Sequence, residues 1–298
     1  FERKARRRVR RFNAKEKPAR PNKKNNPIDF HKPKMTIFAE SKSDKFRIKN
    51  NIMEYFSTKV ISNRKIAKGI YLMEVKNNGA TINPGQFYML KAWDRELTLM
   101  RPISVYKASE EKIAFMYRIA GKGTAELSSL KARNNISIMG PLGNGFPCDY
   151  QNQRVALVGG GIGIPPLFET AKKLKAQGNQ VDIFLGYKDE LFAYEDYEEV
   201  ADRIFIACEN GDEGYRGFVT DLLHPENYDV VFTCGPDVMM MKVNELCKAK
   251  SVPVWLSMEK RMACGIGACL GCTCKTQSGM KRACKDGPVF NGNDIINE

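Results

Sequence analysis

"RVALVGGGIGIPPLFETAKKLKAQG", residues 154–178, carries three structural signals in order. The apolar run from Val155 to Val158 has the length and composition of a buried strand. Gly159, Gly160, Gly161 and Gly163 then turn the chain. Pro165 or Pro166 suits a first helical turn, helical spacing follows, and Gly178 closes the segment. A strand, a glycine turn and a helix start let backbone amides approach a pyrophosphate, with the helix N-terminus favouring its charge. The string departs from G-x-G-x-x-G, because Gly161-x-Gly163 is followed by proline where a third glycine would stand. A tight turn with no ligand is the alternative reading.

Downstream, the texture repeats. "VDIFLGY", "RIFIACE", "YDVVFTCGP" and "VPVWLSME" read as strands, while "AYEDYEEVAD", "GFVTDLLH" and "VMMMKVNELCKAK" read as helices. Such alternation predicts a doubly wound parallel sheet. Ligands sit beyond the strand C-termini in these sheets, so Cys234, Gly235 and Pro236 form a second crevice element. A small buried cysteine with no ligand is the plain alternative for Cys234.

Beyond the last strand comes "RMACGIGACLGCTCK", residues 261–275. Cys264, Cys269 and Cys272 give C-x4-C-x2-C, and Cys284 follows in "KRACKDGPVF". This is the plant-type two-iron spacing, three ligands on one loop and a distant fourth. Glycines 265, 267 and 271 let the loop curl and point amides at sulfur. A structural zinc site would ordinarily use two short C-x2-C pairs, and here only Cys269 and Cys272 form one. Cys274 is a fifth thiol for four ligand places. The separate segment that carries Cys284 makes it the expected fourth ligand.

Upstream, "FSTKVISNRK", "IYLMEVKN", "GQFYMLKAW", "PISVYKAS" and "KIAFMYRIAG" are short β-branched and aromatic runs parted by turn residues. With one helix near "TAELSSLKA" and closure around "ISIMGPLGNGF", they predict a small β-barrel. Within it, "RPIS" (Arg101 to Ser104), "MYR" (Met116 to Arg118) and "GKGT" (Gly121 to Thr124) offer arginines beside a helix N-terminus, a suitable diphosphate clamp. The expected organisation is an extension over 1–51, a barrel over 52–150, a nucleotide-binding domain over 151–251 and a cluster segment over 252–298.

Charge is concentrated at one end. The 298 residues carry a net charge of +14, yet residues 1–50 hold 18 Lys/Arg against 5 Asp/Glu and the remainder 30 against 29. The extension has few large apolar residues, so disorder is expected. A nucleic-acid-binding arm is the alternative, with little aromatic interleaving to support it. No run of eighteen apolar residues is present to span a membrane. No basic–apolar secretory pattern opens the sequence, so reduced thiols and a cytoplasmic location are expected.

These motifs, in this order over residues 52–298, resemble the ferredoxin–NADP reductase superfamily, and within it the iron–sulfur electron-transfer subunits of class 1B dihydroorotate dehydrogenase. The resemblance implies an all-β flavin-binding barrel, then an α/β doubly wound nucleotide-binding domain, then a C-terminal [2Fe-2S] module. By it, FAD is held through Arg101, Pro102, Ile103, Ser104, Met116, Tyr117, Arg118, Gly123 and Thr124. Ile103 stands where many members carry an aromatic residue that stacks on the flavin, while Ser104 lies near flavin N5. A flavin takes a hydride's two electrons together and exchanges single electrons with a cluster, so it belongs between the two. The implied partner is an FMN-containing dihydroorotate dehydrogenase catalytic subunit in a hetero-oligomer, with electrons passing through [2Fe-2S] and FAD to NAD+. NAD rather than NADP rests on the resemblance. The alternative keeps the cofactors and serves another acceptor, a ferredoxin-linked oxidoreductase or an oxygenase.

Overall fold

The computed structural model describes residues 44–48, 51–93, 98–211 and 213–296, with the backbone alone for 44–48 and 51–53. The rest of the basic extension lies outside the described residues. Strand β1 (Asp44–Ile48) pairs antiparallel with the start of β2 (Asn51–Ala67), ahead of the boundary expected at residue 52. There follow β3 (Ile70–Lys76), β4 (Phe87–Lys91), β5 (Arg101–Ala108), β6 (Lys112–Arg118), helix α1 (Lys122–Ser129) and β7 (Asn135–Leu142). The sheet order is β1-β2-β3-β6-β5-β4-β7, and β7 pairs back onto β2 to close a barrel. Alternation along β4 sends Tyr88 and Leu90 into the barrel interior with Phe115 and Ile138. Phe87 and Met89 go outward into a different core.

The second half comprises β8 (Arg154–Gly160), α2 (Phe168–Ala176), β9 (Gln180–Tyr187), β10 (Arg203–Cys208), β11 (Val230–Cys234), α3 (Asp237–Ala249) and β12 (Val254–Ser257). A hairpin, β13 (Thr273–Thr276) and β14 (Gly279–Arg282), precedes β15 (Val289–Asn291). The order β10-β9-β8-β11-β12-β15 is parallel up to β12, and β15 adds antiparallel at the edge. The chain of the cysteine segment is therefore woven into the nucleotide-type sheet.

Two expected helices shrink to single 3₁₀ turns, Glu195–Tyr197 and Val219–Asp221. In the first, like charges stand at Glu195 and Glu199, an i,i+4 repulsion, and Asp196 is drawn off to the barrel. In the second, Pro225 ends the run after His224.

Barrel and sheet share one apolar core, in which Ile70, Tyr106, Ala114 and Met116 pack with Val155, Leu167, Phe168 and Phe232. Polar contacts line its edge. The Tyr106 hydroxyl donates to Asp196, and Lys107 Nζ lies 2.8 Å from the same carboxylate. Ala108 N–H donates to Glu169 Oε1 at 3.0 Å, and Lys68 N–H to Glu190 Oε2 at 2.8 Å. Burial pushes the Asp196 carboxyl up, but the Lys107 and Tyr106 hydrogen bonds outweigh it and hold it below its ordinary value.

Tyr106→Phe should lower Tm by about 2–4 °C, since a half-exposed charge-assisted bond contributes about 1 kcal/mol. The Tyr106→Phe/Asp196→Asn double variant should lose no more than Asp196→Asn alone. Because the folded carboxyl is depressed, its contribution is full above the unfolded value near about 3.9 and lost as pH falls through the lower folded value. Thermal melts across that range should show the gap between wild type and Asp196→Asn closing.

Candidate cofactor sites

Arg101 opens β5, and its guanidinium lies 5.2 Å over the Trp93 ring while Nη1 donates to Leu99 O at 2.5 Å. The same group covers Gly123, where a Cβ would fall 2.7 Å from Arg101 Cζ. Thus "RPIS" and "GKGT" meet in space. Thr124 Oγ1 accepts from Ala120 N–H at 2.8 Å and Gly121 N–H at 3.2 Å, and donates to Gly121 O at 3.0 Å. Those bonds fix the N-terminus of α1 beside the arginine, so Thr124 shapes the turn that an anion would meet. Pro102 pairs with Met89 and Ser104 with Phe87, while Ile103 packs partly against the barrel interior. Within "MYR", Met116 is buried in the shared core. Tyr117 points inward and donates its hydroxyl to Asn63 Oδ1 at 3.1 Å, so only its backbone faces outward. The Arg118 side chain alone of the three is exposed.

In the parallel sheet the chain winds from β8 outward to β9 and β10, then returns to β11 on the other side. The switch point therefore lies between β8 and β11, the usual ligand crevice. Register sets Cys234 opposite Gly159, bringing the glycine turn and "CGP" side by side. Their glycines have two different reasons. A Cβ on Gly163 would fall 2.5 Å from Cys234 O, one on Gly160 2.9 Å from Pro236 Cδ, and one on Gly235 2.9 Å from Gly160 N. Loop-to-loop packing requires those three whatever binds. Gly159 is also crowded, 3.0 Å from Ile164 Cγ1. Gly161 differs: its φ is +53°, and the nearest group to a Cβ there is Arg118 Nη2 at 3.3 Å. The glycine turn and the Arg118 guanidinium are therefore neighbours.

Glu259, two residues past β12, was not singled out by motif. Desolvation by its neighbours pushes its carboxyl up, Asp237 adds to that, and Arg118 opposes it. Burial, reinforced by Glu259, also pushes the Cys234 thiol well up, so Cys234 is a neutral thiol lining the crevice.

The cysteine loop stands against both halves. Cys264 Sγ accepts N–H bonds from Ala268 at 3.3 Å and Cys269 at 3.4 Å. Burial opposes ionisation of Cys264, yet the amides of Ile266, Cys269 and Ala268 and the Cys269 thiol prevail and bring it down to about 6. Cys284 N–H reaches Cys272 Sγ at 3.5 Å, and burial together with the Cys272 thiol pushes Cys284 up to about 12. The four thiols thus meet two and two, Cys264 with Cys269 and Cys272 with Cys284. Two pairs suit a binuclear cluster with two thiolates at each iron. Arg282 straps the halves of this site together. It makes a forked pair with Asp286 (Nε–Oδ2 2.8 Å, Nη2–Oδ1 3.0 Å), and Nη1 donates to Gly267 O at 3.2 Å. Cys274 stands in β13, and Cys272 lies just before that strand. Cys274 lines a cavity of about 470 Å³ with Met258 and Ile295.

Residues 259–296 match the family described as the iron–sulfur cluster binding domain of dihydroorotate dehydrogenase B. Over 243 residues the chain is 49% identical to the dihydroorotate dehydrogenase B (NAD(+)) electron transfer subunit of Clostridium acetobutylicum, covering 82% of this chain and 98% of that one. The subunit of the same name from Clostridium perfringens is 46% identical over 245 residues, covering 82% and 98%. The chain belongs to the dihydroorotate dehydrogenase B (NAD(+)) electron transfer subunit family. A solved chain of an NADH-dependent reduced ferredoxin–NADP oxidoreductase superposes with TM-score 0.73 at 28% identity, over 80% of this chain and 89% of that one. The ferredoxin reductase of carbazole 1,9a-dioxygenase shares the fold, with TM-score 0.62 at 17% identity over 70% of each. As a member of this family, the chain is an oxidoreductase component that works with FAD, a [2Fe-2S] cluster and NAD(H), and the three crevices suit those groups.

Serine at Cys284 should abolish the cluster while leaving NADH able to reduce the flavin, and serine at Cys274 should keep both. Iron content and low-temperature EPR of the reduced variants decide between them. The reverse result would overturn the ligand assignment.

Proposed function

We propose that this chain carries electrons from the FMN of a dihydroorotate dehydrogenase catalytic subunit through [2Fe-2S] and FAD to NAD+. The observation that carries this reading is adjacency within one compact unit, residues 40–298. Gly265 of the cysteine loop presses on β4, β4 pairs with the "RPIS" strand, and Arg118 of the barrel reaches Gly161 of the glycine turn. FAD supplies the conversion between single electrons and a hydride. The protein's own groups then have separate tasks. Arg101 and the N-terminus of α1 bind the flavin diphosphate. Arg118, expected at the flavin by the resemblance, stands beside Gly161 instead and is assigned here to the dinucleotide pyrophosphate together with the glycine turn. Cys264, Cys269, Cys272 and Cys284 hold the irons, and the Cys264 amide cage favours the thiolate that ligation needs.

The partner's side of the molecule is the rim of the cysteine loop. Cys269 is exposed there, flanked by Ile266 and by Leu270, which is 60% exposed. An apolar rim around an exposed ligand suits a protein partner that must exclude water near the cluster. No helix among the described residues is long and apolar enough to cross a membrane. Thiols kept for iron fit a reducing compartment, so the cytoplasm is the proposed location.

Co-expression with an FMN-containing dihydroorotate dehydrogenase subunit should give a stable complex that converts dihydroorotate to orotate with NAD+ reduction. Leu270→Asp should keep both cofactors and NADH-to-flavin transfer but lose the complex in gel filtration. An intact chain that passes no electrons from dihydroorotate to NAD+ in that assay would refute the partner assignment.

A further inference from the structure

The position of one barrel side chain explains how the cluster is held relative to the flavin. Met89 is fully buried at the middle of β4. Tyr88 and Leu90 on either side point into the barrel, so Met89 is directed outward, into the core that also contains Leu142, Cys272 and Cys284. Across the sheet its partner is Pro102 of the flavin motif on one side and Met139 on the other. Residues paired across antiparallel strands share a face, so Met89, Pro102, Phe87 and Ser104 form one surface. Against that surface lies Gly265, the residue after ligand Cys264. Its φ is +70°, and a Cβ there would fall 2.8 Å from Met89 Cγ, 3.2 Å from Met89 Sδ and 3.3 Å from Leu142 Cδ1. Two things call for glycine at Gly265: its left-handed φ, and Met89 standing in the space a side chain would need.

Other ties prevent the loop from backing away. Asn144 N–H donates to Gly287 O at 2.6 Å, Asn144 Nδ2 donates to Asp286 O at 3.1 Å, and β15 is laddered to β12. The cysteine segment is anchored on two sides, and Met89 sets how closely its loop approaches the flavin surface.

We propose that Met89 is the positioning residue that fixes the gap between the cluster and the flavin, with Gly265 as its matched seat. This rests on the assignment of those two sites above. The step it governs moves one electron and forms no bond. When bound, FAD would accept a hydride from NADH and pass its two electrons singly to the irons with release of one proton, and the reverse would hold toward NAD+. Such a step depends steeply on separation, whereas hydride delivery at the far crevice does not involve Met89.

The test uses the purified full chain with both cofactors, mixed anaerobically with NADH. Flavin bleaching is followed optically and the reduced cluster by freeze-quench EPR, after iron and flavin contents are measured. For Met89→Ala, which removes the spacer while the other ties hold, flavin bleaching should keep its wild-type rate while the cluster signal per loaded molecule rises faster, by about threefold or more. Met89→Leu, which keeps the bulk, should stay within about twofold of wild type. Gly265→Ala, which pushes the loop off Met89, should slow the cluster phase, and adding Met89→Ala to it should restore part of the rate by removing Cγ. Failure of NADH to bleach the wild-type flavin, or absence of the cluster, would overturn the site assignment itself. Loaded Met89→Ala or Gly265→Ala protein with a wild-type cluster phase would overturn the positioning role, leaving Met89 as packing alone.

Discussion

The ladder of β15 on β12, with Trp255 opposite Asn291, Leu256 opposite Phe290 and Ser257 opposite Val289, is the constraint on which the arrangement depends. It returns the chain from the cysteine loop to the nucleotide-type sheet and fixes the segment that carries Cys284. Met258 N–H donates to Pro288 O at 2.9 Å, extending the ladder by one bond. From there the Asp286–Gly287–Pro288 backbone reaches the barrel at Gly143 and Asn144, and Gly265 reaches it at Met89. Without that strand the cluster would hang from a loop. With it, an iron site, a flavin surface and a dinucleotide crevice are held by backbone pairing in one body.

The second organising contact is the meeting of the glycine turn with "CGP". Here most of the glycine content answers to packing: Gly160, Gly163 and Gly235 leave room for one another's backbones. Gly161 is left beside Arg118, a barrel residue. That end of the crevice is therefore built from both halves, and the shared core around Phe168, Tyr106 and Met116 keeps them in register. Electrostatics follow the same plan. Guanidinium groups stand at the two places where phosphates are expected, whereas burial pushes the Cys234 thiol toward its neutral form.

Much of this was legible in the sequence because it depends on short-range chemistry. Cysteine spacing encodes a loop's reach around iron, apolar runs parted by turns encode strands, and a strand–glycine–helix string encodes a crevice. What was not legible depends on residues far apart in the chain. The steric reason for Gly163 lies at Cys234 and Gly235, that for Gly265 lies at Met89, and that for Gly123 lies at Arg101. Tyr117 belongs to a recognisable motif, yet its hydroxyl serves Asn63 inside the barrel. Arg282 and Asp286 belong to no motif, and only the fold places Gly267 O beside the guanidinium. The acidic run at 195–199 had helical spacing, but repulsion within it and the pull of Tyr106 and Lys107 on Asp196 left one turn.

The central claim is that electrons pass between nicotinamide and iron only through the flavin held in the barrel. Removing FAD from the purified chain while retaining the cluster, then adding NADH anaerobically, tests it most directly by EPR. The account predicts that the cluster stays oxidised with NADH, is reduced by dithionite, and is again reduced by NADH once FAD is restored. A cluster that NADH reduces in the flavin-free protein at the rate of the complete one would contradict it.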